Sequence, residues 1–160
     1  MNETARADWS NFLRAWIDGH DELDTNSSLY RHGWRLIFTD TPTASFRASE
    51  EEAGVADLTY SIGLTVRDDG VIRSVAWNGP AFRTGLRPGV RILKVNGAAF
   101  TREGLLEAVR RSARRPLLLG IDQNAGRPDI TLPYTGQLRY PRLERIAGHA
   151  DTLAALLTAR

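Results

Sequence analysis

The side chains that could carry catalysis are few and widely spaced in this sequence. A zinc peptidase site needs two histidines one helical turn apart with a glutamate beside them, the H-E-x-x-H pattern. The three histidines, His20, His32 and His149, are too far apart in the chain to form it. There is no cysteine, which excludes disulfides, thiolate zinc sites and thiol nucleophiles. The sequence therefore predicts no catalytic residues and no cofactor in this chain.

Other motifs of common enzyme chemistry are also missing from the sequence. The hydrolase elbow G-x-S-x-G, the phosphate loop G-x-x-x-x-G-K-[ST] and the dinucleotide fingerprint G-x-G-x-x-G do not occur. Glu50, Glu51 and Glu52 are consecutive, so they cannot all lie on one face of a helix. We expect these three carboxylates to form a solvent-exposed run rather than an acid–base pair.

The charge distribution does not favour nucleic acid or a membrane as a partner. The 21 Lys and Arg residues nearly balance the 19 Asp and Glu residues, and the net charge is +2. Arginines crowd residues 110–115, but cations at a helix C-terminus are favoured by its macrodipole, and no aromatic residues alternate with them to stack bases. No apolar run approaches the ~20 residues that span a bilayer. We expect a soluble chain of undetermined compartment.

One backbone feature does indicate binding chemistry. Gly63 lies near the start of a strand predicted over Ile62–Arg67, in the stretch YSIGLTV. Glycine inside a strand often marks the close approach of another segment or of a ligand. Consecutive amide groups in a loop can converge on an anion, and an extended peptide can then add beside the strand with its carboxylate at the loop. Whether a chain segment or a ligand approaches Gly63 is left open by the sequence.

The elements around Gly63 follow from local turn and capping signals. Asp68-Asp69-Gly70 joins the first strand to a partner strand over Val71–Trp77 in a tight hairpin. Thr101 is an N-cap for a later helix. After the hairpin the sequence predicts a short helix, a strand, a helix and two strands, over residues 81–85, 90–95, 101–112, 117–122 and 129–134. This order predicts a small β-rich α+β domain.

The flanking regions are less regular than the centre. Residues 9–18 predict an amphipathic helix with Asp8 as its N-cap, and a terminal helix is predicted after Asp151. A strand is predicted from Gly33 because its apolar residues alternate. Residues 43–54 fit either a short helix or an ordered loop, and the sequence does not decide between them.

Three stretches of the central region resemble, in order, the signature of PDZ domains. YSIGLTV, residues 60–66, resembles the carboxylate-binding loop and first groove strand. GPAFRTGLRPGVRILKVNG, residues 79–97, is similar to the pattern Pro-Ala-x-x-Ala-Gly-Leu-x-x-Gly-Asp-x-Ile-x-x-Val-Asn-Gly, with Thr84 for alanine and Val90 for aspartate. TREGLLEAVRRS, residues 101–112, resembles the groove helix. The resemblance implies a PDZ-like fold, a small partly open β-barrel or sandwich of about five or six strands with two helices.

A second resemblance covers about residues 8–160. GWRLIFTDTP, DLTYSIGLTV and LRYPRLERI resemble the C-terminal region of the glycyl aminopeptidase family of zinc metallopeptidases. It implies a helical linker or the end of a preceding catalytic domain over residues 1–32, a lead-in strand and loop over 33–54, the PDZ-like domain over 55–135, and a C-terminal tail with a short helix over 136–160. The zinc motif of that family is absent from this sequence, so zinc is expected in a catalytic domain that this chain lacks.

The PDZ resemblance implies a role for each residue of the groove. The amides of Ile62, Gly63 and Leu64 are expected to bind a peptide carboxylate, and the strand that follows is expected to pair with the peptide main chain. Leu105, at the first groove-helix position, implies an apolar peptide residue there, and Val109 implies an apolar terminal pocket. The predicted peptide-binding residues are Ser61, Ile62, Gly63, Leu64, Thr65, Val66, Leu105, Val109 and Ser112.

Three hypotheses for function follow. The favoured one is a PDZ-like peptide-binding or regulatory module of a zinc metallo-aminopeptidase, whose partner is a peptide C-terminus or the catalytic domain of the parent enzyme. The second is a scaffold domain whose groove binds nothing, because the same apolar residues would also form an ordinary core. The third, a self-sufficient enzyme that uses one of the histidines, is the least favoured.

Overall fold

The computed structural model describes residues 29–122 and 129–150. The helices are α1 (Ala44–Ala53), α2 (Pro80–Arg83) and α3 (Arg102–Arg110), with a helical turn at residues 29–31. The strands are β1 (Trp34–Thr39), β2 (Val55–Leu58), β3 (Leu64–Arg67), β4 (Ile72–Val75), β5 (Ile92–Val95), β6 (Ala98–Ala99), β7 (Leu117–Ile121), β8 (Ile130–Leu132) and β9 (Tyr140–Arg145). The helices predicted over residues 9–18 and after Asp151 lie outside the described residues.

Within the described residues, the strands form three open sheets and no closed barrel. β1 pairs with β9, the order β2-β3-β4 forms an antiparallel sheet, and the order β6-β5-β7-β8 forms another. The predicted α+β, PDZ-like fold is confirmed in its order of strands and helices. The number of strands is higher than predicted, because β2, β6 and β9 carry no strong strand signal in the sequence.

One compact unit of the chain runs from Leu36 to Leu143. It contains the predicted range of 55–135 together with β1 from Leu36 on, α1 and residues 136–143, and the predicted domain bounds stay a prediction. The second unit consists, in its described part, of residues 29–35 and 144–150. The helix and the C-terminal segment that border the PDZ-like elements therefore belong to the same body as the groove.

Helix α1 settles the alternative that the sequence left open over residues 43–54. Thr43 is its N-cap, and the side chain accepts a hydrogen bond from the amide of Phe46 at 3.2 Å. Gly54 ends the helix in the left-handed conformation, with φ of 59°, and donates to the carbonyls of Glu50 and Glu51. Both ends of the helix are thus set by residues whose types favour those positions.

The hydrophobic core lies between the two larger sheets and α3. β3 buries Leu64 and Val66 on one face, as expected when alternate strand residues point the same way. Leu105 and Val109 of α3 are four residues apart, so they lie on the same face of the helix, and both are fully buried. The largest fully buried side chains are Leu58, Ile62, Leu64, Ile72, Ile92, Leu105, Leu117, Leu119, Leu132, Val66 and Val109.

None of the helices in the described part of the chain is long and apolar enough to span a membrane.

Candidate peptide-binding groove

The loop before β3 is shaped by Gly63. Its φ is +75°, a left-handed conformation that residues with a Cβ atom rarely adopt. A Cβ atom built on Gly63 would lie 3.4 Å from the Cα atom of Gly79 and 3.6 Å from Ala76 and Pro80. The carbonyl of Gly63 accepts from the amide of Ala76 at 2.9 Å. In this structure it is therefore the segment from Ala76 to Pro80, and not a ligand, that approaches the glycine.

Two amides of this loop are engaged by the chain itself. Ser61 and Gly63 both donate to the carbonyl of Leu58, each at 3.0 Å. Gly63 is one of the residues expected to offer its amide to a peptide carboxylate. An oxygen of the protein therefore holds the position in which an incoming carboxylate oxygen was expected.

The edge of β3 that the peptide was expected to join is covered by β2. The two strands are antiparallel, the orientation expected for a peptide with its C-terminus at the loop. The paired residues are Val55 with Arg67, Ala56 with Val66, Asp57 with Thr65, and Leu58 with Leu64. Since β4 pairs with the other edge of β3, both edges of this strand are occupied.

The predicted groove residues divide between two faces of the β2-β3 pair. Leu64 and Val66 face the core, and Leu58 and Ala56 lie directly opposite them, which places all four on the same face. Thr65 lies on the other face, where its hydroxyl is 3.4 Å from Oδ1 of Asp57. Thr65 therefore does not line the same surface as its two neighbours.

Helix α3 supplies the apolar wall that the sequence predicted. Thr101 caps it by accepting from the amide of Gly104 at 2.9 Å. Leu105 and Val109 belong to the same buried cluster as Ile62 and Leu64, so the structure does bring these predicted residues together. The cluster also contains Leu58, which the sequence analysis did not include among the groove residues.

A C-terminal segment ties the loop to the end of α3. The Ser112 hydroxyl donates to the carbonyl of Gly136 at 2.8 Å, and the amide of Arg139 donates to Oγ of Ser61 at 3.0 Å. Leu138 and Tyr140, which flank Arg139, are buried in the core cluster. Ser61 and Ser112, both predicted as peptide-binding residues, use their hydroxyl groups to hold this segment.

Comparisons with known proteins add little to the assignment of a PDZ-like fold. No family model matches this chain, and no curated protein matches it. One similar solved structure is the HtrA3 PDZ domain bound to a phage-derived ligand, FGRWV. The identity is 23%, the match covers 72% of this chain and 95% of that chain, and the TM-score is 0.32. Because superposition at this score is loose, the PDZ-like assignment rests on the element order and strand pairing described above. None of these comparisons supports the resemblance to the glycyl aminopeptidase family, which stays a prediction.

Glu50 connects α1, β2 and α3. Its Oε1 atom accepts from the amide of Asp57 at 2.6 Å, and its Oε2 atom lies 3.5 Å from Nη2 of Arg102, the first residue of α3. The Glu50 side chain is only 7% exposed. Arg102 also pairs with Asp68 at 3.2 Å. The prediction that Glu50 belongs to a solvent-exposed run is therefore wrong, because the packing of α1 buries this position and leaves Glu51 and Glu52 exposed.

Burial raises the pKa of the Glu50 carboxyl above its ordinary value of 4.5, against the lowering effects of the Asp57 amide and of Arg102. The folded chain therefore holds this proton to a higher pH than the unfolded chain does. We expect the Glu50 contribution to the free energy of unfolding to fall as the pH rises from about 4.5 through the raised value.

Urea denaturation across this pH range tests the expectation when wild type is compared with Glu50→Gln. The difference between the two free energies of unfolding should change between pH 4.5 and the raised pKa of Glu50. All other groups titrate in both proteins, so their contributions cancel in this difference. A difference that is independent of pH would contradict it. Asp57, Arg47 and Arg102 are the charged groups that act on Glu50, and they are unchanged in the variant.

Gly63 is expected to be required for stability as well as for the shape of the loop. Gly63→Ala should lower the free energy of unfolding by about 1–2 kcal/mol, the cost of a left-handed conformation for a residue with a Cβ atom. Gly85 is a matched control, since its φ is +81° and no atom lies within 4 Å of a built Cβ. Because the contact at Gly63 is also of ordinary length, the two alanine variants should lose similar stability in chemical denaturation. A much larger loss at Gly63 would show that packing, not φ, requires the glycine.

An open cleft lies over the face of the β2-β3-β4 sheet that carries Asp57 and Thr65. It has a volume of about 730 Å³ and is bordered by α1, by residues of β2, β3 and β4, and by β9. Its polar lining includes Glu50, Asp57 and Thr65, while Arg73 and Arg142 contribute positive charge. The described residues contain no cluster of three His, Asp or Glu side chains that could hold a metal ion. The open space thus lies over one face of this sheet, whereas the edge of β3 is covered by β2.

β2 and Glu50 are parts of the site that the sequence did not predict. β2 has four residues, one of them an aspartate, which is too short and too polar for a clear strand pattern. The capping residues Thr43 and Gly54 are the signal that could have identified α1. Nothing local to Glu50 distinguishes it from Glu51, because its burial results from packing between distant segments.

Proposed function

We propose that this chain is a non-catalytic, PDZ-like module that binds a peptide C-terminus or an extended peptide segment by β-augmentation between β3 and α3. The observation that best supports this proposal is the buried cluster of Ile62, Leu64, Leu105 and Val109 next to the Gly63 loop. An apolar cluster beside loop amides suits a peptide with an apolar last side chain and a free carboxylate.

We also propose that the module regulates a zinc metallo-aminopeptidase of the glycyl aminopeptidase type. This part depends on the resemblance of GWRLIFTDTP, DLTYSIGLTV and LRYPRLERI to the C-terminal region of that family. The zinc ion would be held by the catalytic domain of the parent enzyme. A reading frame upstream of this sequence that encodes an H-E-x-x-H motif would support the proposal, and its absence from the gene would contradict it.

The experiment that tests peptide binding is a titration with a library of C-terminal peptides, monitored by fluorescence anisotropy. We expect binding of peptides that end in an apolar residue, and loss of that binding when the terminal carboxylate is amidated. Amidation changes only the group that the loop would bind, so it is the appropriate matched control. Equal binding of the amidated peptides would contradict the proposed role of the loop.

A scaffold domain with a non-functional groove is the second candidate. The observation that favours it is the pairing of β2 along the edge of β3, which leaves that strand without a free edge in this structure. The two candidates differ in whether β2 can be displaced. If no peptide binds even when the attachment of β2 is weakened, the scaffold function is the correct one.

A further inference from the structure

β2 has the position and direction of a bound peptide. It runs antiparallel to β3 and ends with Leu58 opposite Leu64, at the loop. The carbonyl of Leu58 accepts from the amides of Ser61 and Gly63, where the carboxylate of a bound peptide would lie under the proposed function. In these respects Leu58 corresponds to the last residue of a ligand, and Val55 to its fourth residue from the end.

The side chains of β2 also correspond to those of a ligand. Leu58 is fully buried and belongs to one cluster with Leu105 and Val109 of α3. Ala56, two residues earlier, lies on the same face and is 2% exposed. Asp57 points to the opposite face, toward Thr65. The pattern is a leucine in the terminal position with a small residue two positions before it.

A polar contact holds β2 in this position. Glu50 accepts from the amide of Asp57 and faces the guanidinium of Arg102. Since Arg102 begins α3, the carboxylate joins the strand in the groove to the helix that forms the opposite wall. We call the contact of Glu50 with Asp57 and Arg102 the Glu50 latch.

We propose that β2 is an intramolecular ligand of the groove, held there by the Glu50 latch. Peptides that end in a small-x-Leu sequence with a free carboxylate bind by displacing β2. This inference rests on the proposed function. The connection from Leu58 to Leu64 is short, so the tethered strand has an effective concentration in the millimolar range or above. An external peptide therefore binds the resting chain weakly, because only the fraction with β2 released can accept it. Release of the latch increases that fraction.

A disulfide that locks β2 in place tests the proposal. Asp57 and Thr65 are directly opposed, and their side chains face each other. The distance between opposed Cα atoms of an antiparallel pair, about 4.5–5.5 Å, is within the range that a disulfide spans. Because the chain has no cysteine, Asp57→Cys/Thr65→Cys introduces the only two thiols. The probe is the peptide Gly-Val-Ala-Asp-Leu, the sequence of residues 54–58, with a free carboxylate.

Release of the latch is the complementary test. Glu50→Ala removes both contacts, and its probe is Gly-Val-Ala-Pro-Leu, whose proline lacks the amide that Glu50 would otherwise accept from. We expect Glu50→Ala to bind this peptide about tenfold more tightly than wild type, or about 1.4 kcal/mol. Glu50→Gln keeps an acceptor for the Asp57 amide and should show a smaller gain, which provides a second variant if Glu50→Ala fails to fold. Glu52→Ala is the matched control, because Glu52 is exposed on the same helix. It should bind the peptide as wild type does.

The outcomes separate the two proposals. Loss of binding in the oxidised double-cysteine protein, restored by reduction, would support β2 as the competing ligand. Equal binding by the oxidised and reduced forms would overturn this inference and leave the proposed function standing, as would binding only of library peptides unlike small-x-Leu. If no C-terminal peptide binds to the reduced protein or to either Glu50 variant, both the inference and the proposed function are wrong.

Discussion

Replacing Leu58 with alanine should lower the free energy of unfolding by about 2–5 kcal/mol, the range for a fully buried leucine truncated in a core that relaxes only partly. Leu58 has no exposed surface and is part of the main core cluster, although the sequence analysis gave it no role. This expectation follows from the position of β2 against the core. If β2 lay outside the core, truncating Leu58 would change the free energy of unfolding very little.

The matched control for Leu58→Ala is Leu93→Ala. Leu93 lies on β5 and is 47% exposed, so its truncation should change the free energy of unfolding by no more than about 0.5 kcal/mol. Guanidinium denaturation of both variants measures the difference directly. If the two losses are equal, Leu58 is not buried and β2 does not lie on β3.

The second large effect is expected at Glu50. Glu50→Ala leaves the partly buried amide of Asp57 without its acceptor and removes one of the two partners of Arg102. An unsatisfied, partly buried donor beside a broken ion pair should lower the free energy of unfolding by about 1–3 kcal/mol. The loss is expected although burial raises the pKa of Glu50, because the amide of Asp57 is left without its acceptor.

An exposed ion pair provides the control for Glu50. Arg35 and Glu144 form a contact in which both side chains are largely solvated, with 61% and 42% exposed. Glu144→Ala should therefore cost about 0.2–1 kcal/mol. A double-mutant cycle of Glu50→Ala with Arg102→Ala should show coupling, meaning that the double variant loses less stability than the sum of the single variants. Additive losses would contradict a direct interaction between Glu50 and Arg102.

Much of the PDZ-like layout could be predicted because its signals are local. Thr101 begins α3 at the predicted residue, and Gly70 lies in the turn between β3 and β4. Leu105 and Val109, which the PDZ resemblance picks out on that helix, are both fully buried. These features depend on neighbouring residues, which a single sequence displays directly.

The state of the groove could not be predicted because it depends on distant contacts. Gly63 was recognised as unusual, but its neighbour Gly79 is brought to it only by the hairpin and the loop before α2. The burial of Glu50 depends on Arg102, which belongs to another part of the chain. The position of β2 is determined by its pairing register with β3 more than by the strand propensity of its four residues.

The central claim is that β3 and α3 form a peptide groove that β2 occupies in the resting chain. NMR titration of Glu50→Ala with the Gly-Val-Ala-Asp-Leu peptide tests it most directly. We predict amide shift changes concentrated in residues 61–66 and on α3, together with loss of the cross-strand nuclear Overhauser effects between Ala56 and Val66. Shift changes elsewhere, or none, with those cross-strand effects intact at saturating peptide, would contradict the claim.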